Sequence, residues 1–247
     1  MRDEVSYCGL AYVYDLLTDD VEYEKRVSYI LKLIEKHLQK APDIVCDLGC
    51  GTGTVCSYLV KNNLECIGID NSEDMLSVAR QKDLDNKVLY LLQDITDFEL
   101  YGTVDVFLSM LDTLNYITEE ESILNVFKLV ANYLNPGGIF IFDVNTKYKF
   151  ESILGNNTYV YEKDNVFYTW ENYYENNVLE SFLNFFVECE NGQYERFSEE
   201  HLQRFYSVDF LKKCADNAGL KIVGVYSDLT FDEISDSDDR VFIVLKK

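Results

Sequence analysis

Residues 44–53 read Ile44-Val45-Cys46-Asp47-Leu48-Gly49-Cys50-Gly51-Thr52-Gly53. The apolar run from Ile44 to Leu48 suits a strand buried on both faces. Three glycines at alternate positions let the chain turn sharply and bring bare backbone N–H groups close to a ligand. Val55, Tyr58 and Leu59 then recur at helical spacing, so the turn aims a helix N-terminus, with its partial positive charge, at whatever lies above the glycines. Taken alone, the turn leaves its ligand open. A dinucleotide fingerprint places glycine or alanine at position 54, which here is threonine, and a nucleotide P-loop ends in Gly-Lys-Ser/Thr, for which no lysine is present. An acidic-x-Gly-x-Gly-x-Gly pattern is matched by Asp47, Gly49, Gly51 and Gly53. A tight strand-to-helix turn without any ligand is the remaining reading.

Working outward, Val27, Ile30, Leu31 and Ile34 form one apolar stripe of an amphipathic helix that ends before Ala41-Pro42. Its tyrosine-rich approach holds Tyr7, Tyr12 and Tyr14. Tyr7 and Tyr12 divide between core aromatics and site residues. Downstream, Glu65-Cys66-Ile67-Gly68-Ile69-Asp70 predicts a second strand ending in a carboxylate 19 positions after Gly51, where a doubly wound sheet places a ribose acceptor beside the first turn. Ser72 is the predicted N-cap of the next helix. Strands at Val88–Leu92, Val104–Leu108 and Ile139–Val144, with a helix over 119–134 and an Asn135-Pro136-Gly137-Gly138 turn, continue the alternation. Strands alternating with helices indicate a parallel sheet with right-handed crossovers.

Residues 147–206 break this rhythm. Runs at 159–162, 166–174, 178–188 and 193–206 read as successive strands, separated by Lys163-Asp164-Asn165, Glu175-Asn176-Asn177 and Glu190-Asn191-Gly192. These separators are hairpin chemistry. The pattern predicts an antiparallel sheet of three or four strands inserted into the α/β core. The core is then 1–146 plus 207–247, closed by a helix over 208–218 and strands at 220–226 and 240–246. The acidic link from Asp228 to Asp239 reads as a solvated loop, with metal binding as the alternative.

The formal charge of −22, from 22 Lys and Arg against 44 Asp and Glu, argues against nucleic acid, whose binding draws on cations that neutralise phosphates. The expected partner is a small molecule, neutral or cationic. No apolar stretch reaches the roughly 18–20 residues needed to span a bilayer, and no leader is recognisable, so a cytoplasmic location without membrane attachment is expected. Seven cysteines with no Cys-x-x-Cys read as free thiols. Cys50 lies inside the glycine turn, but no histidine or lysine adjoins it in sequence to make it nucleophilic.

Four motifs now stand in order: Asp47 to Gly53; Ile69-Asp70-Asn71-Ser72 with Met75-Leu76 and Ala79-Arg80; Asp94-Ile95; and Leu134 to Gly138. In that order they resemble the class I S-adenosylmethionine-dependent methyltransferases. The resemblance implies a Rossmann-like, seven-stranded, mostly parallel sheet with S-adenosylmethionine over the glycine turn formed by Asp47, Gly49 and Gly51. It further implies Asp70, with Asn71, on the ribose, Met75 against the adenine, Asp94 and the Ile95 backbone on the adenine's polar edge, and the stretch containing Met110 along the methionine part. The inserted sheet, Tyr14-Asp15 and Asp112-x-Leu114-Asn115-Tyr116 resemble bacterial small-molecule methyltransferases, including glycine N-methyltransferase-like enzymes and those acting on amino sugars. In these the N-terminal helix and the insert cover the cofactor, and substrate enters between them.

Methyl transfer from a sulfonium is a direct displacement that requires no metal. The protein supplies alignment, exclusion of water and, where the nucleophile carries a proton, a base. Tyr14 is expected against the sulfonium. Of the two histidines, His37 reads as structural. His201 belongs to a His-x-x-Arg-x-Tyr phrase that the resembled group often carries, which makes it the candidate base, with Asn115, Tyr116, Arg204 and Tyr206 as candidate substrate contacts. Strand alternation sets His201 on the face opposite Arg204 and Tyr206, so the three cannot all line one pocket without a bulge. The reading is a methyltransferase acting on a small-molecule nitrogen, as monomer or homodimer. A non-catalytic cofactor-binding protein is the alternative, and a nicotinamide-dependent oxidoreductase is disfavoured by Thr54.

Overall fold

The computed structural model describes residues 9–247; Tyr7 and Cys8 lie outside them. The chain runs α1 (Leu10–Leu17), α2 (Tyr23–His37), β1 (Ile44–Leu48), α3 (Thr54–Lys61), β2 (Glu65–Asp70), α4 (Glu73–Lys82), β3 (Val88–Leu92), β4 (Val104–Ser109), α5 (Glu120–Tyr133) and β5 (Leu134–Asn145). A π-helical turn, Lys149–Leu154, leads into β6 (Thr158–Lys163), β7 (Val166–Glu175), β8 (Val178–Glu188) and β9 (Tyr194–Arg204). Helix α6 (Val208–Asn217), β10 (Lys221–Ser227) and β11 (Arg240–Lys246) complete the chain. Among the described residues no helix is long and apolar enough to cross a membrane.

Seven strands form one sheet in the order β10-β11-β5-β4-β1-β2-β3. It is parallel from β3 through β5, and β11 lies antiparallel between β5 and β10. The strand order reverses between β1 and β4, and a crevice at the carboxyl ends of the strands at such a reversal is where open α/β sheets take ligands. Both faces are covered, which is why the strands read as unbroken apolar runs. Alternation divides them cleanly. Cys46, Leu48, Phe140 and Phe142 pack with α5 and α6 through Phe127, Val130 and Leu211. Val45, Ile139 and Ile141 pack on the other side with Val27, Ile30 and Leu33 of α2 and Leu59 of α3.

The remaining strands form a separate antiparallel sheet, β6-β7-β8-β9. The expected insert of three or four strands is thus four. Two features depart from the sequence expectation. Strand β5 starts at Leu134, ahead of the Pro136-Gly137-Gly138 turn, because Leu134 already pairs with Val104 before the register shifts to Val106 opposite Ile139. The π-helical turn that joins the two sheets has no counterpart in the sequence reading, and π geometry often marks a functional position. Tyr12 is half-buried on α1. Cys46, Cys50, Cys56, Cys66, Cys189 and Cys214 are all free thiols.

Candidate active site

The glycines of the turn meet two different needs beyond their shared backbone conformation. All three have positive φ, at 73°, 53° and 72° for Gly49, Gly51 and Gly53, a region costly for other residues. A Cβ on Gly49 would lie 2.3 Å from Thr113 Cγ2 and one on Gly53 2.3 Å from the Tyr90 hydroxyl, whereas one on Gly51 would meet nothing within 4 Å. Gly49 and Gly53 are closed by packing, and Gly51 is open toward a cavity of about 930 Å³. Gly51 donates its N–H to Asp70 Oδ2 at 2.8 Å, and Ser72 donates to Oδ1 at 2.9 Å. Burial pushes the Asp70 carboxyl up while these backbone donors oppose the shift. A carboxylate held this way presents its remaining lone pairs to a diol. Ser72 also caps α4, accepting from the Met75 N–H at 3.3 Å.

Asp47 is 2% exposed. Its Oδ2 accepts a weak hydrogen bond from Cys56 Sγ at 3.6 Å, and its Oδ1 is buried with no partner. Burial, with repulsion from Asp70 and Asp143 and partly offset by Cys56, pushes this carboxyl up to about 7. Such a group is stabilised by a cationic donor that reaches it. The hydrogen bond that Cys50 donates to Cys56, together with burial, pushes the Cys50 thiol far up, which removes it as a nucleophile. Asn71, Met75, Asp94, Ile95 and Met110 line the same cavity. Asp94 turns Oδ1 to the Thr96 N–H and hydroxyl, each at 2.7 Å.

A smaller chamber of about 240 Å³ lies between the core and the second sheet. The two cavities share Leu10, Tyr14, Thr18, Asp112, Tyr116 and His201. Burial raises the Tyr14 phenol well above its ordinary range, reinforced by Tyr23, Tyr116 and Asp112, so it stays protonated and cannot act as a base. The ring of His201 lies edge-on to Tyr116, with centroids 5.6 Å apart. Burial lowers the imidazole against the opposing pull of Glu199 and Asp112. It is therefore neutral at pH 7 and able to accept a proton.

Asp112 is the anion at this junction. Burial alone would raise it, but the charges of Arg240 and Lys149, with hydrogen bonds from Arg240 and Gln203, outweigh burial and hold it below the usual range. Arg240 Nη2 lies 2.7 Å from Asp112 Oδ1, and Arg240 Nη1 pairs with Asp143. Asp143 also accepts the backbone N–H groups of Leu111 and Asp112, at 2.9 and 2.8 Å. These two residues have φ of 57° and 58°, unusual for side chains of their size. The buried carboxylate thus holds a strained wall in place.

Three expected substrate contacts are not at the cavity. Asn115 is fully buried; its Nδ2 donates to Arg204 O at 2.8 Å and its Oδ1 accepts from Asn145 N at 3.0 Å, joining the end of β9 to β5. Arg204 turns to Glu120 at 2.7 Å and to the Thr118 carbonyl. Tyr206 is 3% exposed, stacks on Phe210 and donates to Ile117 O at 2.6 Å. All three fasten the second sheet to the core. The expected face reversal between His201 and Arg204 is what turns the arginine away. The same alternation carries Glu199 and Gln203 to the His201 side, a signal the sequence contained. Arg240, Lys149 and Trp170 had no such signal. His37 is structural, with Nε2 2.9 Å from the Tyr226 hydroxyl.

Residues 45–138 match the family described as "Methyltransferase domain". A chain of Geobacillus sp. (strain WCH70), provisionally named a methyltransferase, is 30% identical over 247 residues, spanning 98% of this chain and 100% of that one. The dTDP-3-amino-3,4,6-trideoxy-alpha-D-glucopyranose N,N-dimethyltransferase of Streptomyces venezuelae is 30% identical over 131 residues, 52% of this chain and 54% of its own. The crystal structure of an S-adenosylmethionine-dependent methyltransferase from Clostridium acetobutylicum ATCC 824 superposes with a TM-score of 0.88 at 32% identity, covering 96% of this chain and 97% of that one. With a full-length relative and a full-length fold both pointing the same way, the chain belongs to the S-adenosylmethionine-dependent methyltransferases, and S-adenosylmethionine is its cofactor.

Proposed function

We propose that this methyltransferase methylates an amine nitrogen of a small molecule that enters beneath the four-stranded sheet, with residues 147–206 acting as a lid. The observation that carries the reading is the shared wall between the cavities, where Tyr14, Asp112, Tyr116 and a neutral His201 meet. The larger cavity fits the cofactor: Asp70 offers paired acceptors to ribose hydroxyls, Gly51 leaves room for close approach, and the unpartnered Asp47 oxygen suits the methionine ammonium. Asn71, Met75, Asp94 and Ile95 form the adenine end and Met110 the methionine wall. When bound, S-adenosylmethionine supplies a methyl group on a positively charged sulfur, an already activated leaving group.

The chain's own work is then alignment, dryness and one proton. Tyr14 offers an aromatic face and a neutral phenol to the sulfonium. Glu199 adds negative charge beside His201 where the amine arrives, so the reacting end of the acceptor is neutral or cationic. His201 takes the proton that the nitrogen must lose to become nucleophilic. The N,N-dimethyl chemistry named for the Streptomyces venezuelae relative supports a nitrogen acceptor.

The test is the pH dependence of turnover to S-adenosylhomocysteine across a panel of primary and secondary amines. With its pKa lowered from 6.5, His201 is proton-free through the neutral range and becomes protonated only on acidification below that value. Wild-type turnover should therefore fall at acid pH. His201→Asn should lose that acid limb and about 100-fold or more in kcat, the usual scale of general-base assistance, with cofactor affinity unchanged. An identical rate and profile in the variant would remove His201 from the chemistry.

A further inference from the structure

The smaller chamber contains a positive charge with no close ion-pair partner. Lys149 opens the π-helical turn and lines the chamber, yet forms no ion pair among the described residues. Of the carboxylates near it, Asp112 and Asp143 are committed elsewhere, and Asp239 acts on it only from beyond ion-pair distance. Asp112 gives Oδ1 to Arg240 and Oδ2 to the Gln203 amide at 2.5 Å, and Asp143 gives its oxygens to Arg240 and to two backbone N–H groups. Glu151, on the same turn, pairs with Lys147 at 3.4 Å. Burial and then repulsion from Arg240 hold the Lys149 ammonium below its usual range, despite the opposing pull of Asp112, Asp239 and Asp143. An anion seated beside it would relieve both effects.

A second observation concerns hydrogen bonds. The indole Nε1–H of Trp170, another chamber residue, is buried with no acceptor, and the Asn145 Oδ1 is buried with no donor. Buried polar groups are nearly always partnered, and each one left open calls for a water, an ion or a ligand. An ammonium and an indole N–H are both donors, and the Asn145 amide can turn its NH2 the same way. Leu17, Leu154, Leu183 and Phe185 supply apolar walls. The chamber, about 240 Å³, has the volume of roughly eight waters at about 30 Å³ each. That admits a fragment of amino-acid size.

We propose that the smaller chamber is an anion subsite: it holds a carboxylate or phosphate at the end of the acceptor remote from the nitrogen that is methylated, and Lys149 selects for it. The proposal rests on the methyltransferase reading of the adjoining junction. An acceptor with an amine near His201 and an acid at Lys149 is close to neutral overall, which reconciles a local anion site with a strongly acidic chain.

The test uses the full chain saturated with S-adenosylhomocysteine and titrated with two matched pairs, phenylalanine against phenethylamine and phosphoethanolamine against ethanolamine. In the wild type the acid-bearing member of one pair binds about tenfold or more tighter than its partner, and which pair does so identifies carboxylate or phosphate. Lys149→Gln abolishes the preference, Lys149→Arg keeps it, and both bind S-adenosylhomocysteine like the wild type, which confirms their folding. A wild type with no preference in either pair, or an undiminished preference in Lys149→Gln, overturns the subsite. Either result with S-adenosylhomocysteine binding intact leaves the junction reading standing. Failure of the wild type to bind S-adenosylhomocysteine strikes the junction reading instead.

Discussion

Asp70→Ala is expected to weaken S-adenosylmethionine binding by about 100-fold to 10,000-fold, because hydrogen bonds to a charged acceptor contribute about 1.5–3 kcal/mol each and two ribose hydroxyls lose theirs. The same change releases the Gly51 and Ser72 N–H groups from the carboxylate that holds them. The glycine turn and the start of α4 therefore lose their common anchor, and the loss compounds. Asp70→Asn keeps the shape and one acceptor oxygen and should fall between the alanine variant and the wild type. Titration calorimetry on the three proteins measures this directly. An alanine variant within a few-fold of wild type would mean that the ribose sits elsewhere.

The second large effect is on stability. Arg240→Met should cost about 3–5 kcal/mol, the usual result of removing one partner from a buried ion network, and lower Tm by roughly 10 °C for a chain of this size. Arg240 is 8% exposed and the Asp143 side chain fully buried, so methionine leaves Asp112 without an ion-pair partner and Asp143 with only the longer Arg26 contact at 3.9 Å. The pH dependence has a definite sign. In the wild type the Asp112 carboxyl is held below 3.8, so its contribution is present above that value and is lost as pH falls through the lower folded pKa. Without Arg240 the carboxyl rises and protonation relieves the repulsion. The deficit of the variant should thus be largest near pH 7 and shrink toward pH 4.5 in denaturant titrations. A deficit independent of pH would show that charge is not its cause. Because Asp143 also holds the Leu111 and Asp112 N–H groups, turnover should fall as well.

What the sequence made legible follows from where the information lies. The core strands are buried on both faces and announce themselves as apolar runs. The hairpins of the second sheet are punctuated by Asn and Gly, and Asn176, Asn177 and Gly192 do take positive φ. Asp70 could be placed because β2 must end beside β1. Local patterns do not report contacts made across the fold. Arg240 meets Asp112 across 128 positions, and Asn115 meets Arg204 across 89. The phrase around His201 suggested three site residues, yet alternation separates them, and Arg204 and Tyr206 became fasteners. Lys149 was hidden in a π-helical turn whose sequence carries no apolar period to mark it.

The most direct measurement is a crystal structure with S-adenosylhomocysteine bound. The expected result places the ribose hydroxyls on Asp70, the amino group at Asp47 and the sulfur beside Tyr14, open toward the chamber lined by His201 and Lys149. A ribose bound away from Asp70, or a sulfur facing away from that chamber, would contradict the assignment of the two cavities to cofactor and acceptor.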